Sequence, residues 1–334
     1  MTTRRRVVLA LGAGAVAAPF APFAQQPPAK VWRLGYLGPG SAASASSSAS
    51  SVEALRAGLR KLGYVEGKNL AMEYRWAEGK AERLPDLAAE LVRLNVDLIV
   101  TNGGAGAIAA SGATRTIPIV VAASNDLVAL RLAASLARPG GNLTGQIFFA
   151  EALSAKGLEL LKEAIPGLTR AAVLGPPANP TTKLTMDTIA ATAKHLKIEI
   201  PYFAVQRAAD FEGAFAAMVK QRVGAVLVSD SALLGFTVKT SADLALRHRL
   251  PSSGLLIFAE AGGMLGYGVN FLDMFRRAAV LVDRIFKGAR PGDIPIEQAT
   301  RFELFVNVKT VKALGVKIPQ SILLRATKVI EQPE

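Results

Sequence analysis

Two histidines, His195 and His248, and no cysteine are all that the chain offers of the side chains most used as proton shuttles, thiol nucleophiles or soft-metal ligands. Neither histidine belongs to an H-E-x-x-H or H-x-x-x-H pair, so no zinc centre is expected. Each lies near the C-terminal end of a stretch with helical periodicity, where an imidazolium meets the negative end of the helix dipole. No G-x-S-x-G elbow seats a hydrolase serine, and no G-x-x-x-x-G-K-[ST] phosphate loop is present. This inventory speaks against an enzyme and against a metal.

One segment has the letters of a cofactor site. Gly38-Pro39-Gly40-Ser41-Ala42-Ala43 follows an apolar run and fits G-x-G-x-x-A, the dinucleotide fingerprint, with Glu73 or Glu78 as the acid for a ribose. It supports one alternative, an exported NAD(P)-dependent oxidoreductase. Against that alternative, a Ser/Ala run separates the glycines from the next helical stretch, and Pro39 lacks an N–H. No cofactor is therefore expected. The loop serves better as one wall of a solute pocket, because open α/β sheets bind ligands beyond the carboxyl ends of their strands.

Six segments stand at such ends. They are Gly38 to Ser44, Thr101-Asn102-Gly103-Gly104, Ala123-Ser124-Asn125-Asp126, Pro176 to Asn179, Ser229-Asp230-Ser231 and Ala259-Glu260. Their Ser, Thr, Asn and Gly orient a small polar ligand by hydrogen bonds but activate nothing, and each taken singly is also ordinary turn chemistry. The candidate ligand-binding residues are Tyr36, Gly40, Ser41, Ser44, Thr101, Asn102, Gly103, Ser124, Asn125, Asp126, Phe148, Asn179, Ser229, Asp230, Phe258 and Glu260. For an amino-acid-like ligand, Asp126, Asp230 or Glu260 would receive an ammonium. Ser44, Thr101, Ser124 and neighbouring N–H groups would hold a carboxylate. Tyr36, Phe148 or Phe258 would stack on a ring, although core packing is the commoner fate of such residues.

The elements that must position these loops alternate. Strands are predicted over Lys30 to Leu37, Asn69 to Trp76, Asp97 to Thr101, Ile117 to Ala122 and Asn142 to Phe148, with helical stretches carrying Leu55, Leu59 and then Leu84, Leu87, Leu91 between the first three. A second set follows, with strands at Arg170 to Leu174, Ile198 to Val205, Ala225 to Ser229 and Gly254 to Phe258. Helices over Leu153 to Ala164, from Pro180, over Asp210 to Gln221 and over Thr237 to His248 separate them. Alternation of this kind makes parallel sheets from βαβ units, and two sets make two similar lobes. An amphipathic helix over Asp273 to Gly288 and two short helical stretches close the chain, which passes back and forth between the lobes.

The N-terminus reads as an export signal. Arg4, Arg5 and Arg6 precede the apolar run Val7 to Ala18, and Ala24 precedes the polar Gln25-Gln26-Pro27-Pro28. Thr3 to Val8 also fits the twin-arginine pattern loosely, so the route, Sec or twin-arginine, stays open. Residues 1–24 are thus a signal peptide cleaved near Ala24, and the mature chain is expected in the periplasm. Net charge is +13, of which the signal carries three, but the basic residues are scattered with no block of five or six. That pattern is a solvated surface and gives no reason to expect a nucleic-acid partner.

Leu62-Gly63-Tyr64-Val65-Glu66-Gly67-Lys68-Asn69, followed by Glu73 to Gly79 (EYRWAEG), closely resembles a stretch of the ABC transporter substrate-binding family related to the tryptophan-binding TrpX proteins. Leu84 to Leu94, Ser135 to Gly145 (SLARPGGNLTG), Ala178-Asn179-Pro180, Glu260 to Gly263, Tyr267-Gly268, Phe275 to Ala279 and the tail Phe302 to Pro319 continue the likeness. The resemblance implies a type I periplasmic-binding-protein fold, with two Rossmann-like lobes, a three-segment hinge and a cleft that closes on its ligand. It implies a first lobe of residues 30–147 plus 270–296 and a second of 148–269 plus 297–334. Its implied partners are a small-molecule solute and a permease in the inner membrane, with the protein itself a monomer; a sensor that docks on a membrane receptor is the other role. Two loops depart from the family's usage: Ser124 to Leu127 stands where Gly-Asp-Pro is common, and Gly175-Pro176-Pro177 where Trp-Asn-Pro is. The resemblance therefore names no ligand.

Overall fold

A computed structural model describes residues 30–41, 50–177, 180–229 and 237–331. The signal peptide, most of the Ser/Ala run, Ser44, Asn179 and Asp230 lie outside the described residues.

The first half runs β1 (Trp32–Gly38), α1 (Ser51–Lys61), β2 (Leu70–Trp76), α2 (Leu84–Arg93), β3 (Leu98–Thr101), α3 (Gly103–Ala113), β4 (Ile119–Ser124) and β5 (Leu143–Ile147). Its strands lie in the order β5-β4-β3-β1-β2, all parallel. Every residue of β3 and β4 is buried, as expected of parallel strands covered on both faces. The second half repeats the plan. It runs α4 (Ala150–Ala164), β6 (Ala171–Gly175), α5 (Pro180–Leu196), β7 (Tyr202–Ala204), α6 (Asp210–Lys220), β8 (Ala225–Val228), α7 (Val238–Arg247), β9 (Ser252–Gly254), α8 (Leu256–Glu260) and β10 (Leu265–Gly268). Its sheet order β10-β9-β8-β6-β7 copies that of the first.

The last part serves both halves: α9 (Phe271–Phe286) and β11 (Glu297–Gln298), then β12 (Glu303–Asn307), α10 (Val308–Leu314), α11 (Gln320–Arg325) and β13 (Lys328–Ile330). β11 pairs with β5, whereas β12 lies antiparallel to β10 and carries β13. The chain thus passes between the sheets three times, at 148–149, 269–270 and 299–302. Because β11 extends the first sheet to residue 298, the last crossing falls after Gln298 and not at 296, where the resemblance had put it.

Each sheet is sandwiched. α1 and α9 cover one face of the first with Leu55, Phe275 and Val282 among others, and α2 and α3 cover the other with Leu87, Leu91 and Ala107. In the second, Leu158, Leu161 and Ile189 cover one face, and Phe211, Phe215 and Ala245 the other. Local chemistry places these helices. Ser50 caps α1 by accepting from the Glu53 N–H at 3.1 Å, and Asn270 caps α9 by accepting from Asp273 N–H at 3.2 Å. Among the described residues no helix is long and apolar enough to cross a membrane.

Two readings are corrected here. The strand expected over Gly254 to Phe258 is instead the end of β9 followed by α8, and the tail holds two strands beside its two short helices. The reason at Phe258 is packing. A Cβ on Gly263 would stand 2.2 Å from its ring, so the two glycines Gly254 and Gly263 make room for a phenyl group that turns inward from a helix.

The tail is held to α4 by Glu163, which accepts from Ser321 Oγ at 2.7 Å and from Arg325 at 2.5 Å. Burial pushes this carboxyl up, but the Ser321 and Arg325 bonds outweigh it and the group sits below the ordinary glutamate range. A depressed carboxylate stabilises the fold at neutral pH and loses that effect as pH falls through its lowered pKa. Glu163→Gln is expected to lower the melting temperature by about 1–2 °C at pH 7, consistent with ~0.2–1 kcal/mol for a partly exposed pair. At pH 3 variant and parent should melt together, and calorimetry at the two pH values checks it.

Candidate functional site

In each sheet the strand order reverses once, between β1 and β3 and between β6 and β8. A crevice opens at such a switch point, beyond the carboxyl ends of the strands. In the first sheet the crevice is flanked by Gly38 to Ser41 and by Asn102-Gly103. The Tyr36 hydroxyl donates to Asn102 Oδ1 across it at 3.1 Å. Tyr36 is only 3 % exposed and its ring lies among Tyr74 and Trp76, with ring centroids 6.2 and 5.0 Å away. Burial pushes its phenol well above the usual tyrosine range, and the neighbouring Tyr74 adds to this. Burial also pushes Tyr74 up, to about 12, with Glu66 and Glu53 adding and Arg56 opposing. Tyr36 therefore braces the crevice from below and offers no free ring face.

The loop after β1 is zipped to the loop after β2. The carbonyls of Gly38, Pro39 and Gly40 accept from the N–H groups of Ala77, Gly79 and Glu78, each at 2.9 Å. Gly38 is required here, because a Cβ would stand 2.4 Å from the Trp76 indole. The first turn of α1 already holds the Ser50 cap and the negative charge of Glu53.

Beyond β3 and β4 the polar residues divide. Thr101 is fully buried and its hydroxyl donates to Leu37 carbonyl at 2.9 Å beneath α3, so it holds the sheet together. Asp126 Oδ1 accepts from Val128 and Ala129 N–H at 2.8 and 3.1 Å and shapes its own turn. Ser124 is 1 % exposed and its Oγ has no partner among the described residues; the same holds for the buried Asn125 Oδ1. In the second sheet Ser229 Oγ donates to Leu174 carbonyl at 3.1 Å, and the Tyr202 hydroxyl donates to Pro176 carbonyl. Next to them Leu153, Ser154, Gly157, Val228, Leu255 and Tyr267 line a small recess.

Three expected site residues are elsewhere. Phe148 is 5 % exposed and meets Phe271 edge-on at 5.2 Å in the core, because the first crossing turns it inward. Phe258 is 1 % exposed. Glu260 ends α8 and pairs at 3.4 Å with Lys328, the first residue of β13. Residue type does not point to Leu255 and Tyr267, which line the recess. Trp76, which packs on Tyr36, has a signal in being the last residue of a strand with an aromatic two places before it. A cavity of about 170 Å³ beside Arg56, Arg60 and Glu66 lies near Leu70, at the amino end of β2, with its arginines paired to Glu53 and Glu66.

The family description "ABC transporter substrate binding protein" matches residues 43–330. The chain belongs to the ABC transporter substrate-binding protein family. This substrate-binding protein is 25% identical over 265 residues to the tyrosine-binding protein of Clostridioides difficile, covering 78% of this chain and 74% of that one. Its fold is similar to a conserved domain protein from Vibrio cholerae (TM-score 0.83, 25% identity, 90% of this chain and 100% of that one). It is also similar to an ABC domain from Streptococcus pneumonia in complex with L-Trp (TM-score 0.81, 23% identity, 90% and 99%). The ligand-free, open form of a substrate-binding protein with adhesive properties from Clostridium difficile matches at TM-score 0.66, with 21% identity over 90% and 100% of the chains. These neighbours share the type I periplasmic-binding-protein fold with the present substrate-binding protein.

Proposed function

We propose that this protein is the extracytoplasmic receptor of an ABC importer, which captures an amino acid between its two sheets and closes over it by bending at the three crossings. The observation that carries the reading is the repeated sheet order, with one switch point in each sheet and three short segments between the lobes. Contacts that both lobes make with one ligand exist only in a closed form, so the ligand shifts the population toward it. A permease in the inner membrane then reads the closed shape. Relatives named for tyrosine and tryptophan make these two the first ligands to test. Export by the N-terminal signal, with cleavage near Ala24, places the mature monomer in the periplasm.

Chain beginning at Gln25 should be stabilised by one amino acid from a panel of the twenty, with no turnover. Saturation at 100 times the dissociation constant contributes about 2.7 kcal/mol, which is several degrees in a thermal melt. Stabilisation by NAD(P) alone, or by none of the panel, would overturn the proposal.

A further inference from the structure

We infer that the far pole of the second lobe, at the amino ends of its strands, adheres to a membrane surface rich in anionic phospholipid through a row of basic side chains. Lysines and arginines that are scattered along the sequence are gathered there by the fold. α5, α6 and α7 each end with a residue in the left-handed region: Lys197, Arg222 and Arg249, at φ +57°, +54° and +53°. In each case its N–H donates to the carbonyl three residues back, and the next N–H to the carbonyl five back. Glycine or asparagine is the usual occupant of that position. α1, α2, α9 and α10 follow the rule, with Gly63, Asn95, Gly288 and Gly315.

The three basic residues stand level. At the amino ends of the strands the carbonyls of Glu199, Arg170 and Pro251 accept from the N–H groups of Ala171, Gly224 and Val226, each at 2.9 Å. Lys197, Arg222 and Arg249 lie two places before Glu199, Gly224 and Pro251, so they follow the strand order β7-β6-β8-β9. At ~4.8 Å per strand the row is about 14 Å wide. Lys194 and Lys220, in the last turns of α5 and α6, add to it, and all five side chains are exposed. The carboxylates beside the row are already taken: Glu199 pairs with Arg170 at 3.5 Å and Glu212 with Arg247 at 2.7 Å.

Complementing the helix dipoles accounts for Lys194 and Lys220. It does not account for a cation three times over at a position where glycine is free of steric penalty. The three turns carry no aromatic side chain on which a nucleic-acid base would stack. Exposed apolar surface here comes down to Val219, too little for the core of a stable protein interface. Long flexible cations at one level suit an extended sheet of phosphates, each adding attraction within a Debye length. Among anionic surfaces a membrane is where the proposed receptor delivers its ligand, and to that extent the inference rests on that reading.

The test floats the mature chain with vesicles of phosphatidylcholine, either alone or with about 30 % phosphatidylglycerol. Binding is expected to the anionic vesicles only, and should disappear at about 0.5 M salt. The triple variant Lys197→Gly, Arg222→Gly, Arg249→Gly should lose at least about tenfold in vesicle affinity. Its melting temperature should be unchanged or higher, because glycine relieves the left-handed positions; cations kept for the dipoles alone would make it fall. A control, Lys68→Gln, Arg93→Gln, Arg115→Gln, removes the same charge from exposed sites of the first lobe and should stay within about threefold of the parent. Equal losses in the two triple variants, equal binding to both kinds of vesicle, or binding to duplex DNA but to neither vesicle overturns the inference. None of these outcomes touches the receptor reading, which the amino-acid panel decides separately. A chain that binds anionic vesicles through this pole but none of the twenty amino acids overturns that reading and leaves the adhesive pole standing.

Discussion

Phe211→Ala is expected to remove about 3–5 kcal/mol from the second lobe, the usual effect of emptying a buried phenyl site. Phe211 is fully buried and packs with Phe215 and Met218, which fill one face of the second sheet. A domain with 5–15 kcal/mol in total becomes marginal after such a loss. The two tryptophans, Trp32 and Trp76, both belong to the first lobe. Tryptophan fluorescence therefore reports that lobe alone, and far-UV circular dichroism reports both. In urea the variant should lose part of its dichroism early while the fluorescence midpoint stays near the parent's. A fluorescence midpoint that falls in step with the dichroism would show that the lobes unfold as one, against the separation of their cores.

Gly58→Val should act on the other lobe by the opposite means. At Gly58 α1 meets α9 so closely that an added Cβ would stand 2.8 Å from Ala279 Cβ and 3.0 Å from the Arg276 carbonyl. Backbone cannot step aside as a flexible side chain does, so overpacking of about 1–3 kcal/mol is expected. Here the fluorescence midpoint should move, because Trp32 stacks on Phe286 of α9 at 4.1 Å. Gly213→Ala in α6 is the control, since nothing lies within 4 Å of its added Cβ. It should stabilise by about 0.5–1 kcal/mol through helix propensity alone. An unchanged midpoint in Gly58→Val would refute the close crossing.

The parallel strands were legible because they are unbroken apolar runs, and the larger helices because Leu55 and Leu59 or Leu87 and Leu91 recur on one face. α3 was not. Its sequence, GGAGAIAASGA, has almost no amphipathic period, and it forms because its small residues let it lie close on β3 and β4. β12 and β13 were missed for a different reason, since their partners are set by a crossing that local pattern does not contain. Within the site, residue type located the strand ends but not the state of each polar atom. Thr101 and Ser124 look alike in sequence, yet one hydroxyl is bonded to Leu37 and the other is unpartnered. Phe148 and Phe258 failed as cleft residues because a position after a strand does not say which way the ring turns.

The late position of α9 has a consequence for synthesis. A ribosome that has reached Val269 has made β1 to β10, including five strands of the first sheet, yet none of the helix that buries Leu55, Val120 and Leu34 from the other side. One apolar face of the earliest-made lobe must wait until the final fifth of the chain emerges. Such non-local closure slows folding, so this face stays open to solvent through most of the chain's synthesis.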